Sequence, residues 1–276
     1  MNALALLYKV NDLQMLLWVE SGDKLKFKLR QPLEDKTYWF DLIKANKQAL
    51  IEVLLQSGIE QEPSALPVVY RCQNPVKPMS YAQQRLWFIE QLEQGSNAYT
   101  IPLCFYVPAL DVACFEQALA FMVLRHPVLN SVFVQNDAHA QQHLASSRVK
   151  IDSQQTQEQQ LSSLLRHDIQ HIFKLTDEPP IRVSHYHVTD AKPHQQDVVL
   201  INIHHIAFDG WSAGVFLSEL KHVYEAQLND LTLDLPALSF DYGDYAYWQS
   251  HQKDSAQWQQ QLAFWRTHLA GAETLN

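Results

Sequence analysis

The apolar positions change period several times along the chain, and each change marks an element. Leu4, Leu7 and Val10 recur at helical spacing, so the first residues read as a helix. Over 16–30, LLWVESGDKLKFKLR, the period falls to two. Leu25, Phe27 and Leu29 alternate with Lys24, Lys26, Lys28 and Arg30, and Ser21-Gly22-Asp23 offers a turn, which predicts a β-hairpin. The helical period returns over 37–58, where Leu42, Asn46, Ala49, Leu50, Val53 and Leu54 share a face and Gly58 supplies a stop. One or two helices there complete a small unit, 1–58. Residues 59–79 hold Pro63, Pro67, Pro75 and Pro78, a density that predicts an extended linker.

From residue 80 strands and helices alternate. Ser80 with Gln83 three positions on matches a capping box at the head of SYAQQRLWFIEQL, 80–92. IPLCFYV (101–107) is strand-like, VACFEQALAFMVLRH (112–126) an amphipathic helix and LNSVFVQ (129–135) a further strand. DSQQTQEQQ (152–160) reads as a polar loop or helix start. IRVSHYHV (181–188) alternates like a half-buried strand, and DVVLINI (197–203) is apolar enough for a buried one. SAGVFLSELKHVYEAQL (212–228) and WQQQLAFWRTHLAG (258–271) are helical. The pattern predicts an α/β or α+β fold with a mixed sheet flanked by helices, and a second domain over 80–276.

Composition narrows the function classes. A formal net charge of −9 argues against a nucleic-acid protein. The charge is uneven: 8 basic against 7 acidic residues over 1–57, and 13 against 23 over the rest. Cys72, Cys104 and Cys114 are odd in number and form no CxxC, which suits a reducing compartment. No apolar run reaches the roughly 18 residues of a membrane span. The apolar N-terminus is broken by Lys9 and Asp12 and shows no cleavage site, so no signal peptide is expected and the cytoplasm is the expected location.

The candidate chemistry sits in HHIAFDG, 204–210. A metal site is disfavoured, because adjacent strand residues point to opposite faces and no further ligand motif is present. Gly210-Trp211-Ser212-Ala213-Gly214 matches G-x-S-x-G, but about six residues separate it from the preceding strand, and only 62 residues follow Gly214. Ser212 reads better as a helix cap. Taken alone, the stretch leaves an ordinary strand-end pair and a catalytic role both open.

Context adds to it. HHIAFDG resembles the HHxxxDG motif of the condensation domains of non-ribosomal peptide synthetases, and three other segments fit that family in order. SYAQQRLWFIEQL resembles its S-x-A-Q-x-R-L-W motif, RHPVLNSVF (125–133) its R-H-x-x-L-R-T-x-F, and YGDYAYWQ (242–249) its Y-x-D-Y-A-x-W. The helix–hairpin–helix order of 1–58 resembles the β-hairpin docking domains that precede some condensation domains. HHxxxDG is also shared with CoA-dependent acyltransferases.

The resemblance implies a chloramphenicol-acetyltransferase-like lobe. It implies amide formation between a donor acyl or peptidyl thioester and an acceptor aminoacyl thioester, both held on the phosphopantetheine arms of carrier proteins, with no cofactor of the domain's own and no metal. By the family pattern His205 is the catalytic residue, as base or as positioner of the amine. His204 faces away and packs. Asp209 is a buried carboxylate expected to pair with Arg125, Gly210 leaves room for a substrate arm, Trp211 packs in the core, and Arg85 and Trp87 are structural. The family's second Arg in the R-H motif is Asn130 here, followed by Ser131 rather than Thr. Lys24, Lys26, Lys28 and Arg30 are expected to receive the C-terminal peptide of an upstream synthetase subunit as an added strand. The family's I-G-x-F-V-N-T motif is not in the 276 residues, so the resemblance covers the first lobe and the start of the crossing segment, and activity of this chain alone is not expected. The alternatives are a catalytically idle interaction fragment and a CoA-dependent acyltransferase.

Overall fold

The computed structural model describes residues 2–63, 68–93, 96–136, 139–145, 149–253 and 255–272. They cluster into two compact units, Met1–Asn74 with Asp244–Asn276, and Pro75–Gly243.

The first unit opens with α1 (Ala3–Asp12), capped by Asn2, whose side chain accepts the Ala5 N–H at 2.8 Å. The hairpin is β1 (Met15–Glu20) against β2 (Lys24–Leu29), closed through left-handed Ser21 and Gly22 (φ 57° and 77°). Met15, Leu17 and Val19 bury one face of β1 against Leu6, Leu7, Leu50 and Leu54. The helical stretch divides at Asn46 into α2 (Lys36–Ala45) and α3 (Lys47–Gln56). Gly58, at φ 68°, ends α3 in a doubly bonded turn: Ile59 N–H to Leu54 O at 2.9 Å and Gly58 N–H to Leu55 O at 3.0 Å.

Residues 64–67 of the expected linker lie outside the described residues, and the stretch after them packs on the first unit. Tyr70 and Cys72 are buried in the core of the first unit, and the Tyr70 hydroxyl donates to Asn11 Oδ1 at 3.0 Å.

The described residues of the second unit form two sheets. β3 (Val76–Pro78), β6 (His139–Leu144) and β5 (Ser131–Asn136) form one, antiparallel in the order β3-β6-β5. The other is mixed. β4 (Thr100–Tyr106), β9 (Asp197–His204) and β8 (Ile181–Val188) are antiparallel, and β7 (Ile151–Thr156) joins β8 in parallel. On one face of this sheet α5 (Val112–Arg125) and α7 (Gly210–Leu228) cover Val199, Ile201 and Ile203. On the other, α6 (Glu158–Ile169) covers Val198 and Leu200. Burial on both faces is why 197–203 is nearly all apolar.

Two strand expectations are corrected. Residues 151–156 form an edge strand, not a loop, and stay polar because four of the six side chains are exposed. β8 is not half-buried. Ser184, His185 and Tyr186 are inside and partnered: the Ser184 and Tyr186 hydroxyls donate to Asp168 Oδ2 at 2.5 and 2.6 Å, and His185 Nε2 lies 3.0 Å from Asp197 Oδ1.

The unit's first helix, α4 (Tyr81–Leu92), carries the complete capping box of Ser80 and Gln83. The last two helices are α8 (Tyr242–Gln252) and α9 (Ala256–His268). From Asp244 onward the described chain packs with the first unit. The cause is burial: Asp244 accepts the Cys72 N–H at 2.8 Å, Tyr247 and Trp248 pack on the core of α1 and the hairpin, and His251 stacks on Tyr8 at 5.2 Å. Among the described residues no helix is long and apolar enough to cross a membrane.

Candidate functional site

β9 delivers its last residue, His204, and the next, His205, to opposite sides, as strand alternation requires. His204 is buried, 2% exposed. Its Nδ1 accepts the Ile206 N–H at 3.1 Å, so the ring proton sits on Nε2 and is donated to Glu90 Oε1 at 3.1 Å. Burial holds the His204 pKa below the usual histidine value, against the opposing pull of Glu90. His204 is a clamp between α4 and the loop after β9.

His205 is fixed only through its backbone, whose N–H donates to Tyr99 O at 2.8 Å. Its side chain is exposed and, among the described residues, makes no hydrogen bond. It lines a cavity of about 270 Å³ with Gln83, Arg85, Tyr99, Asp209 and Tyr242. The first motif supports that cavity. Gln83 Oε1 accepts from Ser80 N–H at 2.9 Å and from Gln142 Nε2 at 3.2 Å, and Gln83 Nε2 donates to Ile206 O at 3.2 Å. Ser80 Oγ lies 2.9 Å from the Tyr242 hydroxyl. Residues from three of the four sequence motifs therefore surround one loop. Arg85 is exposed on this cavity, whereas Trp87 is buried.

The expected Asp209–Arg125 pair is not formed. Asp209 is exposed and caps α7: its Oδ1 accepts the Ser212 N–H at 2.8 Å and the Ser212 hydroxyl at 2.6 Å. The side-chain and backbone bonds from Ser212 hold its carboxyl below the usual range. Asp209, not Ser212, is thus the cap, because the carboxylate three positions earlier reaches the free N–H first. Arg125 instead grips Glu219, Nε to Oε2 and NH2 to Oε1, both at 3.1 Å. His126 Nε2 adds a third contact to Glu219 Oε2 at 2.7 Å. Burial raises the Glu219 carboxyl, but these partners outweigh it and hold it low. Glu219 lies 94 residues from Arg125 and belongs to no motif, so only the packing of α5 on α7 reveals it.

Trp211 is the other correction. It is 86% exposed and lines a second cavity of about 240 Å³, which shares Ala207, Phe208, Ser212 and Tyr242 with the first. Gly210 begins α7 with no left-handed φ, and a Cβ there would meet nothing within 4 Å, so this unit alone does not demand glycine. Asn130, in place of the family's arginine, leaves its Oδ1 buried and without a hydrogen-bond partner. An exposed imidazole beside a cavity can accept a proton or hold an amine by a hydrogen bond, which is what the attack of an amine on an activated acyl group needs.

The comparisons with known proteins concern the same residues. The family model described as "Condensation domain" matches 73–276. One protein of the linear gramicidin synthase of Brevibacillus parabrevis is 32% identical over 228 residues, 78% of this chain and 4% of that protein. Malpinin synthetase of Mortierella alpina is 32% identical over 223 residues, 78% of this chain and 3% of that protein. Among solved structures, the X-domain in complex with OxyB from teicoplanin biosynthesis has a TM-score of 0.67 at 25% identity, covering 77% of this chain and 48% of that one. The starter condensation domain of rhizomide synthetase RzmA has a TM-score of 0.63 at 21% identity, covering 73% and 52%. The chain thus spans a few per cent of the synthetases it matches and about half of the solved domains. With the motif residues gathered around His205 and the family model spanning 73–276, the chain belongs to the condensation-domain family of the nonribosomal peptide synthetases.

Proposed function

We propose that residues 73–276 supply the His205 side of a condensation site. There the amine of a carrier-bound aminoacyl thioester attacks a carrier-bound acyl or peptidyl thioester. The observation that carries the reading is the contrast between the two histidines: His204 is buried and bonded through both ring nitrogens, while His205 stands free and exposed on a cavity. His205 holds or deprotonates the amine, Asp209 fixes the start of α7 behind it, and phosphopantetheine arms of the donor and acceptor carriers bring both thioesters. Among the described residues Cys72, Cys104 and Cys114 form no disulfide, in keeping with the reducing cytoplasm we propose.

The test is a two-lobed condensation domain with residues 73–276 as its first lobe, given loaded donor and acceptor carriers. His205→Ala is expected to lower product formation by about 10²–10⁴-fold with an unchanged circular dichroism spectrum. A loss of only a few-fold would remove His205 from the chemistry. Residues 1–276 by themselves are expected to make no product, since they span 48% of a solved domain's length. The CoA-dependent acyltransferase alternative is not favoured, because the chain's relatives are peptide synthetases.

The hairpin is the proposed dock for an upstream subunit's C-terminal peptide. Val19 donates its N–H to Ile59 O at 3.1 Å, away from β2, and Arg30 donates to Gln14 O at 2.9 Å. By antiparallel alternation the N–H and C=O groups of Leu25, Phe27 and Leu29 then point along the outer edge of β2. An extended peptide can pair with that edge. Leu25 and Leu29 pack on the core, but Phe27 is 48% exposed, edge-on to Phe40 at 4.7 Å, and offers the peptide an apolar contact. Lys26 already meets Glu20 at 3.2 Å and Lys28 meets Glu62 at 2.5 Å. Such exposed pairs are worth about 0–1 kcal/mol, so an acidic peptide can displace them.

A further inference from the structure

We propose that the cavity beside Trp211 is a side-chain subsite for one of the two substrates, and that His126, held by Glu219, selects what enters it. The inference rests on the condensation reading above and names a feature of the substrate that reading leaves open.

The geometry starts from Glu219. Its carboxylate takes both arms of Arg125 at 3.1 Å and His126 Nε2 at 2.7 Å. An ionised carboxylate only accepts, so Nε2 is the donor to Glu219, and whenever the ring carries a single proton Nδ1 is left as an acceptor. Among the described residues Nδ1 has no hydrogen-bond partner, and the ring lines the cavity. Both Arg125 and Glu219 side chains are largely buried, at 9% and 15% exposure, so the ring's orientation is set from behind by packed groups.

The remaining walls are mainly apolar: Phe208, Val215 and Phe216, with Trp211 at the rim. A volume of about 240 Å³ is below the roughly 300–1,000 Å³ of sites for whole small molecules, and suits one amino-acid side chain. The cavity shares Phe208, Ser212 and Tyr242 with the one that holds His205, so a side chain seated here leaves its backbone next to the reacting centre. A mainly apolar cavity with an imidazole acceptor in its wall fits an aromatic side chain with a donor at its tip, such as a phenol. A site built around such a bond rejects the analogue that lacks the donor, because the acceptor is then left unpaired.

The experiment uses the 276-residue chain and equilibrium binding, so its outcome is independent of the condensation assay on His205. Chain with ¹⁵N-labelled histidine is titrated with tyrosinamide and phenylalaninamide, and with their N-acetyl forms. The free amines stand in for the acceptor and the acetylated forms for the donor, and the tighter pair tells which substrate uses the subsite. Tyrosinamide or its N-acetyl form is expected to bind about 2–10-fold more tightly than the phenylalanine counterpart and to shift His126 Nδ1. His126→Phe is expected to erase that preference while phenylalanine-amide binding persists. Val215→Trp, at a residue 46% exposed, fills the cavity while keeping His126 and Glu219 in the sequence and is expected to weaken every amide at least tenfold. Equal affinity for the two side chains, no shift at His126 up to the solubility limit, or unchanged binding in Val215→Trp would overturn the proposal.

Discussion

Replacing Asp209 by Ala separates two physical accounts of the aspartate in the motif. If it were a buried partner of a cation, its loss would strand that cation and cost roughly 3–5 kcal/mol. The structure makes it an exposed N-cap with two bonds from Ser212, at 2.8 and 2.6 Å. Loss of a cap costs about 0.5–2 kcal/mol, typically about 1. The carboxylate's interaction with the helix dipole accounts for about 0.3–1 kcal/mol at an exposed terminus, so it overlaps the cap value rather than exceeding it. The expected loss for Asp209→Ala is therefore about 1 kcal/mol, or roughly 2–4 °C in Tm for a unit of this size. Asp209→Ser keeps a capping oxygen and is expected to recover most of it. Urea unfolding followed by tryptophan fluorescence reads both variants. A cost of about 3 kcal/mol or more for Ala, with no recovery by Ser, would refute the cap and return Asp209 to a charge pair.

Three further outcomes follow from the same geometry. Arg125→Met leaves Glu219 buried with only His126, and is expected to cost about 3–5 kcal/mol in the same urea assay, well above Asp209→Ala. Stability is expected to fall in two stages on acidification. The His204 pKa is lowered by burial, so its contribution is present above the unfolded value of 6.5 and lost as pH falls below it. The Asp197 carboxyl, raised by burial but lowered further by His187, His185 and the Leu110 N–H, contributes above its unfolded value of 3.8 and loses that contribution as pH falls through its lower folded value. His204→Gln is expected to remove the first stage alone and Asp197→Asn the second, read from urea midpoints across pH. For the hairpin, changing Lys24, Lys26 and Lys28 to Gln in the full chain is expected to weaken binding of an extended acidic peptide and remove most of its salt dependence; calorimetry at two salt concentrations showing unchanged affinity would confine these lysines to solvation.

Periodicity was a good guide wherever one side of an element decides its burial. The helix at Leu4, Leu7 and Val10, the hairpin at Ser21–Asp23 and the buried strand at 197–203 are all present, because each expresses a local rule: helical spacing, a positive-φ turn, and burial on both sheet faces. It failed at β7, whose exposed Asp152, Ser153, Gln154 and Gln155 carry no apolar signal although their backbone pairs in parallel with β8. It failed again at β8, where polar residues are buried and answered by Asp168 and Asp197, carboxylates that lie 10 to 18 residues away from their partners in the chain.

The site followed the same division. That His204 and His205 face opposite ways was readable, since alternation needs only two neighbours. What Asp209 and Arg125 each do was not, because each had two partners available and distance in sequence does not rank them. Asp209 is three residues from Ser212, and its bond to that N–H comes with the formation of α7; a cation from another helix could be reached only after α5 and α7 had packed. Once packed, α7 presents Glu219 to Arg125, and both oxygens are filled at 3.1 Å. Local capping and a bidentate long-range pair are each satisfied, whereas an Asp209–Arg125 bond would have left the first turn of α7 uncapped and Glu219 buried with one histidine. Asn130, where the family pattern has a second arginine, gains nothing comparable: its Oδ1 is buried without a hydrogen-bond partner.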